Sequence, residues 1–212
     1  METCNLIQRT DEWRKVRLGK VTASRIGDLM AKTRTGYSTS RANYMAELVC
    51  ERMTGQPAEN YQNAAMLRGI EMEPQALAQY CFQTDLGVDL VGFVDHPEIP
   101  DSGCSPDGYV GKEGLVEIKC PGAPGTHMET LLTGTVDLRY VRQMAFQMAC
   151  TGRQWCDFVS YDPRWPPSMQ LWVKRYERDD TAIKAIEVEV MTFLGELCDK
   201  VAALRQRFGG TA

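Results

Sequence analysis

Residues 104–120 read CSPDGYVGKEGLVEIKC, and this stretch decides the fold. Two short apolar runs separated by Gly, Lys and Glu are typical of a β-hairpin. Side chains alternate between the two faces of a strand, so Glu117 and Lys119 share one face while Ile118 points to the other. The hairpin spacing brings Asp107 alongside Glu117. The stretch therefore predicts two carboxylates and an ammonium group on one sheet face.

This group has the composition of a metal-dependent phosphodiesterase site. Mg²⁺ prefers a few carboxylates together with water and substrate phosphate, and the Ile118 carbonyl adds a further oxygen. Lys119 beside them can orient or deprotonate a water and stabilise charge on a phosphate. The same residues also fit a cross-strand salt bridge on a solvated face, and the pattern alone leaves both interpretations open.

A further acidic residue precedes the hairpin in the sequence. Residues 68–74 read RGIEMEP within a helical pattern, and either Glu73 or Glu71 can complete the metal shell. An ordinary helix surface explains these residues equally well.

The length and composition predict one soluble globular domain over residues 1–212. Hydrophobic residues make up 43% and charged residues 25% of the chain, and no apolar run reaches the roughly 18 residues that span a bilayer. The start of the chain does not resemble a signal peptide, so we expect a cytoplasmic protein.

The charge is unevenly distributed along the chain. The net charge of -4 argues against a nucleic-acid-binding protein, but residues 1–52 carry a balance of +4 and residues 53–120 a balance of -8. A surface for anions beside a site for cations explains this distribution, as does patchy solvated charge.

The eight cysteines and two histidines do not form a metal site in the sequence. No CxxC pair occurs, and zinc or iron–sulfur sites need closely spaced ligands. We therefore expect reduced, structural thiols.

The periodicity predicts helices and strands in alternation. We expect helices over residues 22–31, 41–54, 63–84 (interrupted by a kink or a new start at Pro74), 137–151 and 179–208. Strands are expected over residues 88–95, 107–110, 115–120, 155–161 and 170–177, and no element is assigned to residues 122–136. The layout predicts an α/β fold with a mixed central β-sheet flanked by α-helices.

The ordered motifs resemble the phage lambda exonuclease family, also called the YqaJ-type viral recombinases, within the PD-(D/E)xK nuclease superfamily. The motifs are RLG at 17–19, TAS at 22–24, G-x-x-x-E at 69–73, SPDG at 105–108, E-x-K-C-P at 117–121, Y-x-x-Q at 140–143 and YDPR at 161–164. The resemblance covers nearly the whole chain and implies a restriction-endonuclease-like core.

The resemblance also implies roles for individual residues. Asp107, Glu117, the Ile118 carbonyl and Glu73 correspond to the metal site, and Lys119 corresponds to the catalytic lysine with Gln143 beside it. A metal role for Glu71 stays open. The remaining matches are the 5′-phosphate and DNA-end contacts Arg17, Ser24 and Arg34, and the strand-separating wedge Met66.

The family activity implied is a Mg²⁺-dependent 5′→3′ exonuclease, with Mn²⁺ as a substitute ion. Such an enzyme digests one strand of linear double-stranded DNA with a 5′-phosphate to mononucleotides and leaves a 3′ overhang. The resemblance further implies a homotrimeric ring, a single-strand annealing recombinase as partner, and a phage or prophage origin in a bacterial host. Two alternatives are a DNA-end-binding recombination subunit with little hydrolysis and an endonuclease of the same superfamily.

Overall fold

The computed structural model describes residues 7–34, 36–58 and 64–209, with side chains described from residue 67 in the last range. Its main sheet has five strands in the order β10-β9-β8-β7-β4. β8 pairs antiparallel with β7 and parallel with β9, so the sheet is mixed. The strands are β4 (Val88–Asp89), β7 (Gly108–Val110), β8 (Gly114–Lys119), β9 (Trp155–Tyr161) and β10 (Leu171–Glu177).

Two smaller sheets lie in the N-terminal half of the fold. A three-stranded sheet joins β1 (Val21–Thr22), β6 (Ser102–Cys104) and β5 (Val94–Asp95), and a hairpin joins β2 (Lys32–Thr33) to β3 (Gly36–Tyr37). The parallel pairing of β1 with β6 brings the segment after residue 20 next to the turn that leads into Asp107.

Helices cover both faces of the main sheet. They are α1 (Asp11–Arg17), α2 (Ile26–Leu29), α3 (Thr39–Thr54), α4 (Ala64–Thr84), α5 (Pro124–Thr133), α6 (Leu138–Thr151) and α7 (Asp180–Phe208). The larger core cluster includes Met144 and Phe146 of α6 and Phe193 of α7. A second cluster joins Tyr80 of α4 to Val116 of β8 on the other face. The expected mixed sheet between helices is therefore confirmed.

Several sequence predictions of local structure are wrong. No new helix starts at Pro74, because α4 runs from Ala64 to Thr84 with Pro74 inside it. The predicted strand over 88–95 is two strands in different sheets, β4 and β5. Residues 22–31 do not form one helix: Thr22 ends β1, and a 3₁₀ turn and the four-residue α2 follow it. Residues 122–136, left unassigned, contain α5 with Pro124 at its first position, where proline costs no hydrogen bond.

The cysteines agree with the expectation of free thiols. The seven cysteines in the described part of the chain form no disulfide, and four of them are buried. A thiol in that setting behaves as a small hydrophobic side chain.

Candidate active site

Glu117 lies at the centre of the site, on the middle strand of the main sheet. It is only 1% exposed, because both faces of β8 are covered by helices. Gln143 Nε2 donates to its Oε1 and Gln147 Nε2 to its Oε2, each at 2.6 Å. The ammonium group of Lys119 forms an ion pair with the same carboxylate. The solvated salt-bridge alternative is therefore excluded for Glu117.

Asp107 occupies the turn before β7 and faces the same group. Its Oδ2 accepts a hydrogen bond from the backbone N–H of Ile118 at 2.6 Å. Burial raises the pKa of Asp107 well above its usual range, and the charge of Glu117 raises it further. A carboxylate whose charge is disfavoured in this way, beside the buried Glu117, forms a place where a cation is stabilised.

Lys119 is the cation that the chain itself supplies. Burial lowers the pKa of Lys119, but the charges of Glu117 and Asp107 outweigh burial and raise it overall. The ammonium group also lies 4.9 Å from the centroid of the Tyr140 ring. Lys119 is therefore held in its protonated form.

The oxygen ligands at this point fit a hard divalent cation. Asp107 and Glu117 converge, and the carbonyl of Ile118 lies between Glu117 and Lys119 in the strand. Among the described residues, no group of three or more His, Cys, Asp or Glu side chains is arranged so that it could hold a metal ion by itself. A site with few protein carboxylates is what Mg²⁺ uses, because it keeps several waters and substrate oxygens.

The positions of Glu73 and Glu71 on α4 show which of the two faces the site. Glu73 lines the cavity in front of the site and forms an ion pair with Arg9. Glu71 is exposed and is not among the cavity-lining residues. The geometry therefore favours Glu73 as the upstream acid.

A cavity of about 680 Å³ opens over these groups, and two of the predicted phosphate contacts line it. Arg17 donates to Ser105 Oγ at 3.1 Å and stacks on Trp13, with 3.9 Å between its Cζ and the ring centroid. Burial lowers the pKa of Arg17 to about 10, so it stays charged at neutral pH. Ser24 is exposed on the same cavity, with its Oγ 3.4 Å from the Thr22 hydroxyl.

The two other predicted DNA contacts lie on separate elements. Arg34 is exposed in the turn between β2 and β3 and does not line it. Met66 lies in the first turn of α4, and its side chain is outside the described residues.

Residues 12–154 match the YqaJ-like viral recombinase domain. The chain belongs to this family. Among solved structures it is similar to an alkaline exonuclease (LHK-Exo) from Laribacter hongkongensis, with 52% identity and a TM-score of 0.88 over 96% of this chain and 100% of that one. A structure of LHK-Exo in complex with dAMP matches to the same extent.

A phage-related exonuclease from Haemophilus somnus shares the fold at 16% identity, with a TM-score of 0.69 over 87% of this chain and 96% of that one. A comparison with curated proteins found no match. The predicted family is confirmed, and this YqaJ-like protein is a nuclease, as the sequence predicted. In the described part of the chain no helix is long and apolar enough to cross a bilayer.

Sequence reasoning missed several contacts in and around this YqaJ-like site. Gln147 was overlooked although it follows Gln143 by four residues, the spacing that places two side chains on one helix face. Arg9 was counted only as part of a basic block. His127, on the unassigned helix α5, is fully buried and bonds Ser160 Oγ and the Met169 carbonyl, each at 2.8 Å. A lone histidine in a segment without periodicity gave no signal for this contact.

Proposed function

We propose that this protein is a Mg²⁺-dependent 5′→3′ exonuclease that acts on linear double-stranded DNA with a 5′-phosphate. It releases mononucleotides from one strand and leaves a 3′ single-strand overhang for recombination by strand annealing. The observation that carries the proposal is the group formed by buried Glu117 with the partly buried Asp107 and Lys119, which lines the same cavity as Arg17 and Ser24. The similarity to an alkaline exonuclease over nearly the whole chain supports it.

The metal ligands in this proposal are Asp107, Glu117 and the Ile118 carbonyl, with Glu73 as an additional acid. Bound Mg²⁺, or Mn²⁺ in its place, would activate a water and neutralise charge on the scissile phosphate and the leaving oxygen. Gln143 fixes the orientation of Glu117 through its hydrogen bond to Oε1. The carboxylate therefore presents its remaining lone pairs in one direction.

Lys119 acts as a charged donor in this mechanism. Its ammonium group is paired with Glu117 and lines the cavity, so it would stabilise negative charge on the phosphate oxygens and orient a water by hydrogen bonding.

The direction of digestion would follow from where the 5′ end is held. Arg17 and Ser24 bind the terminal 5′-phosphate at the cavity, and Arg34 contacts the DNA end from the β2–β3 turn. Met66 serves as the wedge that parts the strands. A terminal phosphate carries more negative charge than a phosphodiester, so a guanidinium group distinguishes the two.

The assembly and context are proposed from the family resemblance. A homotrimeric ring around the duplex, one nuclease domain in each chain, would keep the enzyme on its substrate. A single-strand annealing recombinase would receive the 3′ overhang in the cytoplasm of a bacterial host, with the gene carried by a phage or prophage.

The deciding experiment compares linear with closed circular duplex DNA, with and without a 5′-phosphate, in Mg²⁺. We expect nucleotides to be released from 5′-phosphorylated linear DNA while circles stay intact, and no release by Asp107→Ala or Lys119→Ala. Cleavage of circles would instead indicate an endonuclease. End binding in EDTA with no digestion at any Mg²⁺ or Mn²⁺ concentration would indicate a binding subunit.

A further inference from the structure

The segment before α1 is hydrogen-bonded to the backbone beside the candidate active site. The side-chain amide of Gln8 donates to the carbonyls of Val91, at 2.8 Å, and Pro106, at 2.7 Å. Pro106 immediately precedes Asp107, so this segment is tied to the turn that carries a candidate metal ligand. The next residue, Arg9, consequently has a fixed position at the site.

Arg9 has an unusual backbone conformation. Its φ of 73° lies in the left-handed region, which residues other than glycine rarely adopt. Such conformations persist where surrounding contacts determine them, and they concentrate at functional sites. The result here is that the Arg9 side chain lines the large cavity and pairs with Glu73.

The Arg9–Glu73 pair stands between two cavities. The 680 Å³ cavity and a neighbouring one of about 310 Å³ share four lining residues, Gln8, Arg9, Glu73 and Asp107. The Arg9 side chain is 39% exposed. Among the described residues, Glu73 is the only hydrogen-bond acceptor of its guanidinium group, so most of its five N–H donors are available to a ligand.

We propose that Arg9 binds an internal phosphodiester of the DNA strand being digested, and that Glu73 holds the guanidinium group in place until DNA replaces it. This inference rests on the proposed function. Guanidinium groups match phosphate oxygens in a two-pronged geometry. Arg17 is already engaged by Ser105 and Trp13 and is assigned to the terminal phosphate, so Arg9 supplies a separate contact.

The test measures binding of fluorescently labelled linear duplex in EDTA, with and without a 5′-phosphate, over a range of salt concentrations. We expect Arg9→Gln to weaken binding about 10- to 100-fold, because a hydrogen bond to a charged group contributes about 1.5–3 kcal/mol. The slope of log affinity against log salt should fall by roughly 0.7 to 0.9, as for one lost phosphate contact. Arg9→Lys should keep the slope, and Arg14→Ala serves as control, since Arg14 pairs with Asp11 and lines neither cavity.

The double variant Arg9→Gln/Glu73→Gln separates a phosphate contact from simple charge neutralisation. We expect the double variant to keep the reduced salt slope of Arg9→Gln. Recovery of wild-type affinity and slope would show that Arg9 only neutralises Glu73, and would overturn the inference. A defect confined to 5′-phosphorylated DNA would overturn the assignment to a phosphodiester. Either result leaves the proposed exonuclease intact, since that is decided separately by nucleotide release from linear DNA in Mg²⁺.

Discussion

Replacement of Gln147 tests whether its hydrogen bond to Glu117 orients that carboxylate for activity. Gln147 is fully buried on α6, and its Nε2 donates to Glu117 Oε2 at 2.6 Å while its own Oε1 has no partner among the described residues. Gln147→Met removes the donor and keeps a side chain of similar length. Loss of a hydrogen bond to a charged group costs about 1.5–3 kcal/mol, and removal of an unsatisfied buried oxygen returns about 1–3 kcal/mol. These opposing contributions overlap, so the free energy of unfolding should change by no more than about 2 kcal/mol in either direction.

The activity should respond differently from the stability. Residues that orient a metal ligand typically contribute 10- to 100-fold to metal affinity or activity. We expect Gln147→Met to lower the rate of nucleotide release by that factor and to raise the Mg²⁺ concentration needed for half-maximal rate. Urea denaturation measures the stability, and Gln75→Met, on the exposed surface of α4, is the matched control. A rate within twofold of wild type, or a loss explained entirely by unfolding, would refute the reasoning.

Three further predictions concern stability. Burial and the neighbouring carboxylate of Glu117 raise the pKa of Asp107. At pH values above the unfolded pKa of this group, keeping Asp107 in the folded protein therefore lowers the free energy of unfolding. Asp107→Asn should raise the melting temperature at neutral pH in EDTA while abolishing activity. Gly103→Ala would place a Cβ 2.5 Å from the Val94 carbonyl oxygen and should lower the free energy of unfolding by about 2 kcal/mol or more, measured by denaturant titration. Burial raises the pKa of Asp162, but its bonds to Arg164 outweigh burial and lower it. The stability that wild type has over Asp162→Asn should therefore be present above pH 3.8 and disappear as the pH falls further, which acid titration of unfolding can show.

The strands at the centre of the fold were predictable because they are apolar runs bounded by turn residues. The expected 115–120 and 155–161 agree closely with β8 and β9. Their parallel pairing was not predictable, since nothing in a strand's own residues specifies which neighbour it pairs with. For the same reason, the sequence did not predict that residues 88–95 divide between two sheets.

The shared face of Glu117 and Lys119 was predictable from alternation along a strand, but its burial was not. Burial depends on α6, whose glutamines lie 26 and 30 residues further along the chain. Gln143 was found only through the family resemblance, and Gln147 not at all. The ion pair of Arg9 with Glu73 likewise joins residues 64 positions apart in the sequence, and local periodicity does not predict contacts over such a separation.

The cavity itself carries balanced charge, which predicts that metal and DNA bind cooperatively. Four acidic and four basic side chains line it together: Asp107, Glu117, Glu73, Asp137, Lys119, Arg9, Arg17 and Arg139. A divalent cation would shift this balance by two positive charges, at the point where a phosphate must enter. The chain's net charge of -4 has little bearing on the electrostatic field in the cavity, because dissolved salt screens exposed surface charges more strongly than charges in a buried site. We therefore expect Ca²⁺, tested as an ion that binds oxygen ligands, to tighten binding of linear duplex severalfold relative to EDTA in the wild type. Asp107→Ala should lose most of this gain. An equal gain in that variant would mean that the cation acts elsewhere on the protein or on the DNA.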